Sequence, residues 1–175
     1  AYIVVRTSDT VVDYPTTPGA FDTTFNGIDD VAVTKLSPDG STLVYSTFLG
    51  GSGIDSGTAI AVNAAGEAYV AGATTDDVID MQTTAGAYDT THNGVTDYFV
   101  TRFSADGASL VYSTFIGGAG IDNAVGLAID GAGSAYVVGT ASPGFPVTAG
   151  VVDTSVLGSS EIGASKISPD GATLQ

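Results

Sequence analysis

Three observations on the 175-residue sequence predict an all-β fold built from repeated four-stranded antiparallel sheets. The composition suits strands and turns, one unit recurs with a period of 67 residues, and the strand candidates carry apolar groups on both faces. Apolar residues make up 43% of the chain and charged residues only 13%. That is too apolar for a disordered chain and too poor in Lys and Glu for a helical bundle. Val, Thr and Tyr suit pleated strands, and the 24 Gly, with Asp and Asn, suit the turns between them.

The repeat decides the organisation. Ala1-Tyr2-Ile3-Val4 returns as Ala68-Tyr69-Val70-Ala71 and as Ala135-Tyr136-Val137-Val138, at steps of 67. Gly19-Ala20-Phe21-Asp22 returns as Gly86-Ala87-Tyr88-Asp89. Ser37-Pro38-Asp39-Gly40 returns as Ser104-Ala105-Asp106-Gly107 and, after a shorter step of 64, as Ser168-Pro169-Asp170-Gly171. The shortening falls between Gly139 and Gly150. Between Gly40 and Gly51, nine of twelve residues match Gly107 to Gly118. The chain therefore reads as one continuous array: repeat 1 over 1–67, repeat 2 over 68–134 and a partial repeat 3 over 135–175.

Each unit offers four strands. In the second they lie near 68–74, 97–103, 109–116 and 124–129. Asp106-Gly107 supplies a hairpin turn with Gly at the positive φ, and Pro38 and Pro169 preset φ at the equivalent turns. Asn63 to Gly66 and Asp130 to Gly133 turn the chain before each Ala-Tyr strand.

Leu43, Tyr45, Thr47 and Leu49 share one face of their strand, and Val44, Ser46 and Phe48 share the other. A sheet apolar on both faces needs a neighbour on each side. Radially stacked four-stranded blades provide this, so the expected architecture is an incomplete β-propeller of about two and two-thirds repeats. Solenoid rungs of roughly 20–30 residues are too short for this period. The small residues of Ala68 to Ala73 suit an innermost strand near a crowded axis. The partial third repeat suggests either a piece of a longer array or chains that assemble into a ring or filament, and the first is favoured.

The string "LVYSTFLGGSGIDSGTAIAVNAAGEAYVAGAT", followed by the Pro-containing "DYPTTPGAFDTTFNG" type of loop and by "DDVAVTKLSPDG", resembles the bacterial seven-bladed β-propeller (SBBP) repeat. The resemblance spans essentially the whole chain. It implies blades of large, mostly extracellular or cell-surface bacterial proteins and no shared catalytic activity. Val4-Val5-Arg6 departs from Ala71-Gly72-Ala73, and Asp76, Asp77, Asp80 and Met81 replace the repeat's Phe-Pro loop in the second unit.

Charge narrows the partners. Nineteen acidic residues against four basic ones give a formal net charge of −15, which repels nucleic acid and anionic lipid. No stretch approaches the roughly 18 apolar residues of a membrane span, so neither nucleic acid nor membrane insertion is expected. Without cysteine there are no disulfides or thiolate metal sites. The lone His92 reads as a solvated turn residue, and the Gly-Gly-x-Gly stretches at 50–53 and 117–120 read as repeat loops rather than phosphate cradles.

Calcium is the one cofactor to weigh. Hard cations want several oxygen ligands in one loop. Asp55 and Asp122 recur in Gly-Ile-Asp loops, and Asp76, Asp77 and Asp80 cluster in another. The simpler reading is that Asp55 and Asp122 cap turns, and no cofactor is expected. Paired carboxylates could serve a glycosidase, but acids copied in every repeat point to packing, so no catalytic residue is expected. Asp30, Asp97 and Glu161 form one repeated position, and Lys35, Arg102 and Lys166 another, five residues later. Each base either meets an acid of the neighbouring unit or snorkels at its strand's end.

The sequence thus points to a non-catalytic extracellular scaffold or surface binding module. Its partners are further repeats of the same chain, other copies of itself, or a protein or carbohydrate ligand at the variable loops 74–84 and 141–147. The alternatives are a self-assembling ring or filament subunit and a fragment of a propeller carbohydrate-active enzyme.

Overall fold

The computed structural model describes residues 1–8, 14–75, 80–156 and 158–175. Asp76 and Asp77 lie outside the described residues. The chain is all-β, with ten strands and no helix among the described residues. The strands are β1 (Tyr2–Ser8), β2 (Asp29–Leu36), β3 (Leu43–Leu49), β4 (Asp55–Val62), β5 (Ala68–Thr74), β6 (Asp97–Phe103), β7 (Leu110–Ile116), β8 (Asn123–Ile129), β9 (Ala135–Ala141) and β10 (Glu161–Ile167).

They form three antiparallel sheets, ordered β1-β2-β3, β4-β5-β6-β7 and β10-β9-β8. Sequence period and sheet are out of phase. The strand at 124–129, grouped by the sequence with 68–116, pairs instead with β9 of the next sheet. The middle sheet takes its first strand, β4, from the end of the first repeat. The small-residue strand β5 is correspondingly not the innermost edge. It sits second and is paired on both sides. Its small residues answer to crowding, because a Cβ on Gly72 would meet the Ser56 carbonyl and the Phe99 ring.

Period-2 apolarity is used on both faces of the middle sheet, as the sequence requires. Val70, Phe99, Phe103 and Phe115 pack towards the first sheet with Val31, Val33, Tyr45 and Leu49. Tyr69, Tyr98, Val100, Tyr112 and Ile116 pack towards the third sheet with Ala124, Ala135, Val137 and Ile167. The stacking is closest at the β4 and β8 side. β4 lies on β1 and β2, and β8 lies on β4 and β5.

The outer edges of β3 and β7 are covered by the loops that join β1 to β2 and β5 to β6. Thr17 N donates to Ser46 O (3.0 Å) and Phe48 N to Asp22 O (2.9 Å); Thr84 with Ser113 and Asp89 with Phe115 repeat the pattern. This removes an exposed ladder that could template unwanted pairing. The same loops reach the next sheet, with Phe21 N donating to Gly107 O and Tyr88 N to Gly171 O. Gly107 has φ +70° and lies flat on the previous sheet's Tyr45 ring, where a Cβ would come to 2.5 Å. Gly40 has φ +73° with nothing within 4 Å. One turn sequence therefore serves two purposes, and only the second needs the missing side chain for packing.

Candidate functional site

The densest polar structure is a repeated junction where each sheet hands the chain to the next. The linker Gly50–Gly53 runs from β3 to β4, and Gly117–Gly120 runs from β7 to β8. The glycine spacing lets the preceding loop close on it. A Cβ on Gly27 would collide with the Gly51 carbonyl, and one on Gly94 would come to 2.6 Å of the Gly118 and Gly120 carbonyls. Ile28 N and Val95 N donate to Gly53 O and Gly120 O, and Asp29 and Ile54 form a parallel bridge that Thr96 and Ile121 repeat.

Two buried carboxylates hold the linkers, and two more hold the loops that close on them. Asp55 Oδ2 accepts from Gly51 N (2.8 Å), and Asp122 Oδ2 accepts from Gly118 N (2.8 Å). These are the turn caps that the sequence suggests. Asp122 also takes Ser142 N (2.6 Å) and Ser142 Oγ (2.8 Å). Asp30 and Asp97 start their strands fully buried, each with Oδ2 on the amide of Asn26 or Asn93 (2.9 Å). Asn26 and Asn93 in turn donate Nδ2 to Asp22 and Asp89 (2.8 Å). The Oδ1 atoms of Asp30 and Asp97 have no hydrogen-bond partner. Asp30 Oδ1 and Asp55 Oδ2 bracket one point, both 2.8 Å from where a Gly50 Cβ would stand.

Burial pushes the Asp30 carboxyl up to about 6, opposed by the Asn26 amide and reinforced by Asp22, Asp29 and Asp80. Asp97 is likewise pushed up to about 6 by burial, with Asp122 and Asp89 adding to the rise and Asn93 and His92 opposing it. Asp30 and Asp97 can therefore each hold a proton near pH 6. Among the described residues no three acidic or imidazole side chains gather to hold a metal ion. Asp80 is exposed, and its Oδ1 accepts from Ser52 N (2.8 Å), so it ties the linker to the second unit's variable loop.

The bases lie at the other end of the same strands. Lys35 Nζ reaches the next sheet, where it donates to the Ala105 carbonyl (3.2 Å). Arg102 does the same to Pro169 O (2.7 Å) and also pairs with Glu67 of its own sheet (2.6 Å). The inter-unit tie is thus base to turn carbonyl, with the repeated acids Asp30 and Asp97 committed at the opposite end. Lys35, Arg102 and Lys166 stand 5.1, 5.2 and 5.3 Å over the rings of Tyr2, Tyr69 and Tyr136. Glu161 is half-buried and accepts from Gly158 N (3.2 Å).

Met81, which the sequence sets in the place of the repeat's Phe-Pro loop, and Phe145 occupy equivalent buried positions, one in each inter-sheet core. Counting back 64 residues from Phe145 finds the match. His92 is half-buried, its ring edge-on to Phe115 at 6.0 Å and a ring nitrogen 3.3 Å from Thr74 O. It is packed rather than solvated. No protein-family model matches the chain, and no curated protein matches it.

Proposed function

We propose that the chain is a run of β-propeller blades serving as a rigid, non-catalytic scaffold at the bacterial cell surface, with its linker-end loops offered to protein or carbohydrate ligands. One observation carries the reading. Each sheet lays its first strand on the first strands of the sheet before it, while the outer strands join through a turn glycine set on a tyrosine ring. Close contact on one side and a spaced contact on the other suit sheets fanned about an axis. The resemblance to the SBBP repeat supports the same arrangement.

Repetition also favours a structural role. Asp30 with Asp55 and Asp97 with Asp122 are copies, and their oxygens accept backbone N–H groups of the linkers and loops. An active site needs one distinctive constellation rather than a series. The described residues 80–84 of the first variable loop and the loop 141–147 adjoin the linkers, with Asp80, Gln82 and Ser142 anchoring them there.

Solution scattering with electron microscopy tests the architecture. A wedge with equal rotation at both junctions is expected, and a straight, unfanned stack would sink the reading. A glycan and protein-ligand screen tests the function. Binding abolished by replacing the exposed Pro143, Gly144 and Val147 is expected, whereas turnover of a glycan would replace a scaffold with an enzyme.

A further inference from the structure

A cleft of about 400 Å³ lies at the turn end of the stack, between the turn that joins β4 to β5 and the turn that joins β8 to β9. Val62, Asn63, Tyr69 and Arg102 line it from the middle sheet and its turn, and Ile129 and Asp130 from the third. Its size falls within the roughly 300–1,000 Å³ of small-molecule sites.

Two donors at the base of this cleft are unused. Tyr69 is 0% exposed, and its hydroxyl has no hydrogen-bond partner. The equivalent Tyr2 hydroxyl closes on the Gly66 carbonyl of the following sheet (2.8 Å), whereas Tyr69 makes no such bond to Gly133. The neighbouring Asn63 side chain is already committed to Glu67 and to the Ala65 and Glu67 amides. Arg102 places Nη1 on Pro169 O and Nη2 on Glu67, and its buried Nε–H has no partner. The guanidinium lies 5.2 Å over the Tyr69 ring, which holds the two groups together. A buried donor without an acceptor is costly, and a ligand oxygen relieves that cost.

The constellation is not a copy. Lys35 and Lys166 stand at the Arg102 position, and Ser134 stands at the Glu67 position. Its charges point to a neutral ligand. Glu67 and Asp130 offset the one guanidinium within a chain of net charge −15, which disfavours an anion, and Arg102 at the base disfavours a cation. Asp130 Oδ2 accepts from the Tyr136 hydroxyl (3.2 Å) and has further acceptor capacity. Val62 and Ile129, at the ends of β4 and β8, add apolar wall.

We propose that this cleft binds one neutral sugar residue. Arg102 Nε–H and the Tyr69 hydroxyl donate to its oxygens, Asp130 Oδ2 accepts from one of its hydroxyls, and Val62 and Ile129 lie against its C–H face. Donors, an acceptor and an apolar wall in one small cleft match a ring that carries hydroxyls on its rim and carbon on its face. The site lies at the opposite end of the sheets from the linker-end loops, so it stands or fails separately from the ligand reading given to those loops above.

The test uses the 175-residue chain and four neutral monosaccharides: glucose, galactose, mannose and N-acetylglucosamine. Calorimetry and ligand-observed NMR are expected to show saturable one-to-one binding of at least one. Tyr69→Phe is expected to weaken that binding about five- to tenfold, the loss of one hydrogen bond to the ligand. Its melting temperature should not fall, because the hydroxyl bonds nothing in the free protein. Arg102→Lys keeps the charge that Lys35 and Lys166 carry but removes Nε–H, and is expected to weaken binding to a similar degree. Replacing Pro143, Gly144 and Val147 is expected to leave binding at this cleft unchanged. No saturable binding of any of the four sugars, binding undiminished by either substitution, or a preference for inorganic phosphate or glucuronate would each overturn the proposal. So would a lowered melting temperature in Tyr69→Phe, since the hydroxyl would then serve the fold.

Discussion

The strands β6 and β10 hold the same place in neighbouring sheets and live in different surroundings. In β6, Asp-Tyr-Phe-Val-Thr-Arg-Phe is buried at every position but Arg102. In β10, Glu-Ile-Gly-Ala-Ser-Lys-Ile alternates between buried and open. The aromatic ring has also changed origin. Phe99 supplies it from the strand and rests on Gly72, whereas Gly163 leaves room for Phe145, which arrives from a loop and packs on Tyr98 at 5.3 Å. Burial in such a stack is a property of neighbours more than of the strand itself, so stability divides into sheets and the contacts between them.

The sharpest way to break this comparison is to truncate the paired positions. Tyr98→Ala is expected to cost about 3–5 kcal/mol in urea unfolding, because a fully buried ring leaves a cavity. Ile162→Ala is the matched control, taken up below. A near-equal effect at the two sites would show that the strand, not its neighbours, sets the burial energy.

The turn glycines sharpen the argument at sheet contacts. Gly107→Ala meets both a positive φ and the Tyr45 ring, so the two costs add to about 2–5 kcal/mol. Gly40→Ala meets the positive φ alone and is expected to cost about 1–2 kcal/mol. Equal losses in thermal unfolding would mean that the turn, not the sheet contact, dominates.

Protons separate the two ends of the sheets. At the junction end, Asp30 and Asp97 have carboxyls raised above their ordinary value to about 6. The folded state then binds more protons than the unfolded one, and this stabilisation is complete below about pH 4 and lost as pH rises through about 6. At the turn end, the hydroxyls and amides of their own turns hold Asp39, Asp106 and Asp170 below the ordinary value. Their effect runs the other way and fades in strong acid. Stability is expected to peak on the acid side of neutrality. Asp97→Asn should flatten the fall between about pH 4 and 7 by on the order of 1–3 kcal/mol, as denaturant midpoints across that range would reveal. An unchanged slope would remove the junction from the account.

The smallest expected effect is the control. Ile162→Ala, at a site 90% exposed, should change stability by no more than about 0.5 kcal/mol.

Much of this was legible in the sequence. The period of 67, the apolar residues on both strand faces and the Asp-Gly hairpins carry straight into three stacked sheets. The repeat could not reveal where a sheet begins, because a periodic string has no intrinsic origin; only pairing places 55–62 with 68–74. The bases were visible as a repeated position, yet their carbonyl partners were not, since any residue offers a backbone oxygen. The acids were visible too, but their burial follows from loops folding back over the strand starts, which no local pattern encodes. Met81 was visible as the stand-in for the Phe-Pro loop, yet its burial with Phe145 in the inter-sheet cores was not, because loop composition does not show which side chain turns inward.

Gly50-Gly51-Ser52-Gly53 has the composition of a flexible hinge. Yet Gly50 and Gly51 are buried, the Gly51 and Ser52 amides are held by carboxylates, and Gly53 O takes two further amides. A protease seeking a nick would find little purchase there. Anyone dividing the array into separable pieces at its glycines would cut through its best-anchored backbone.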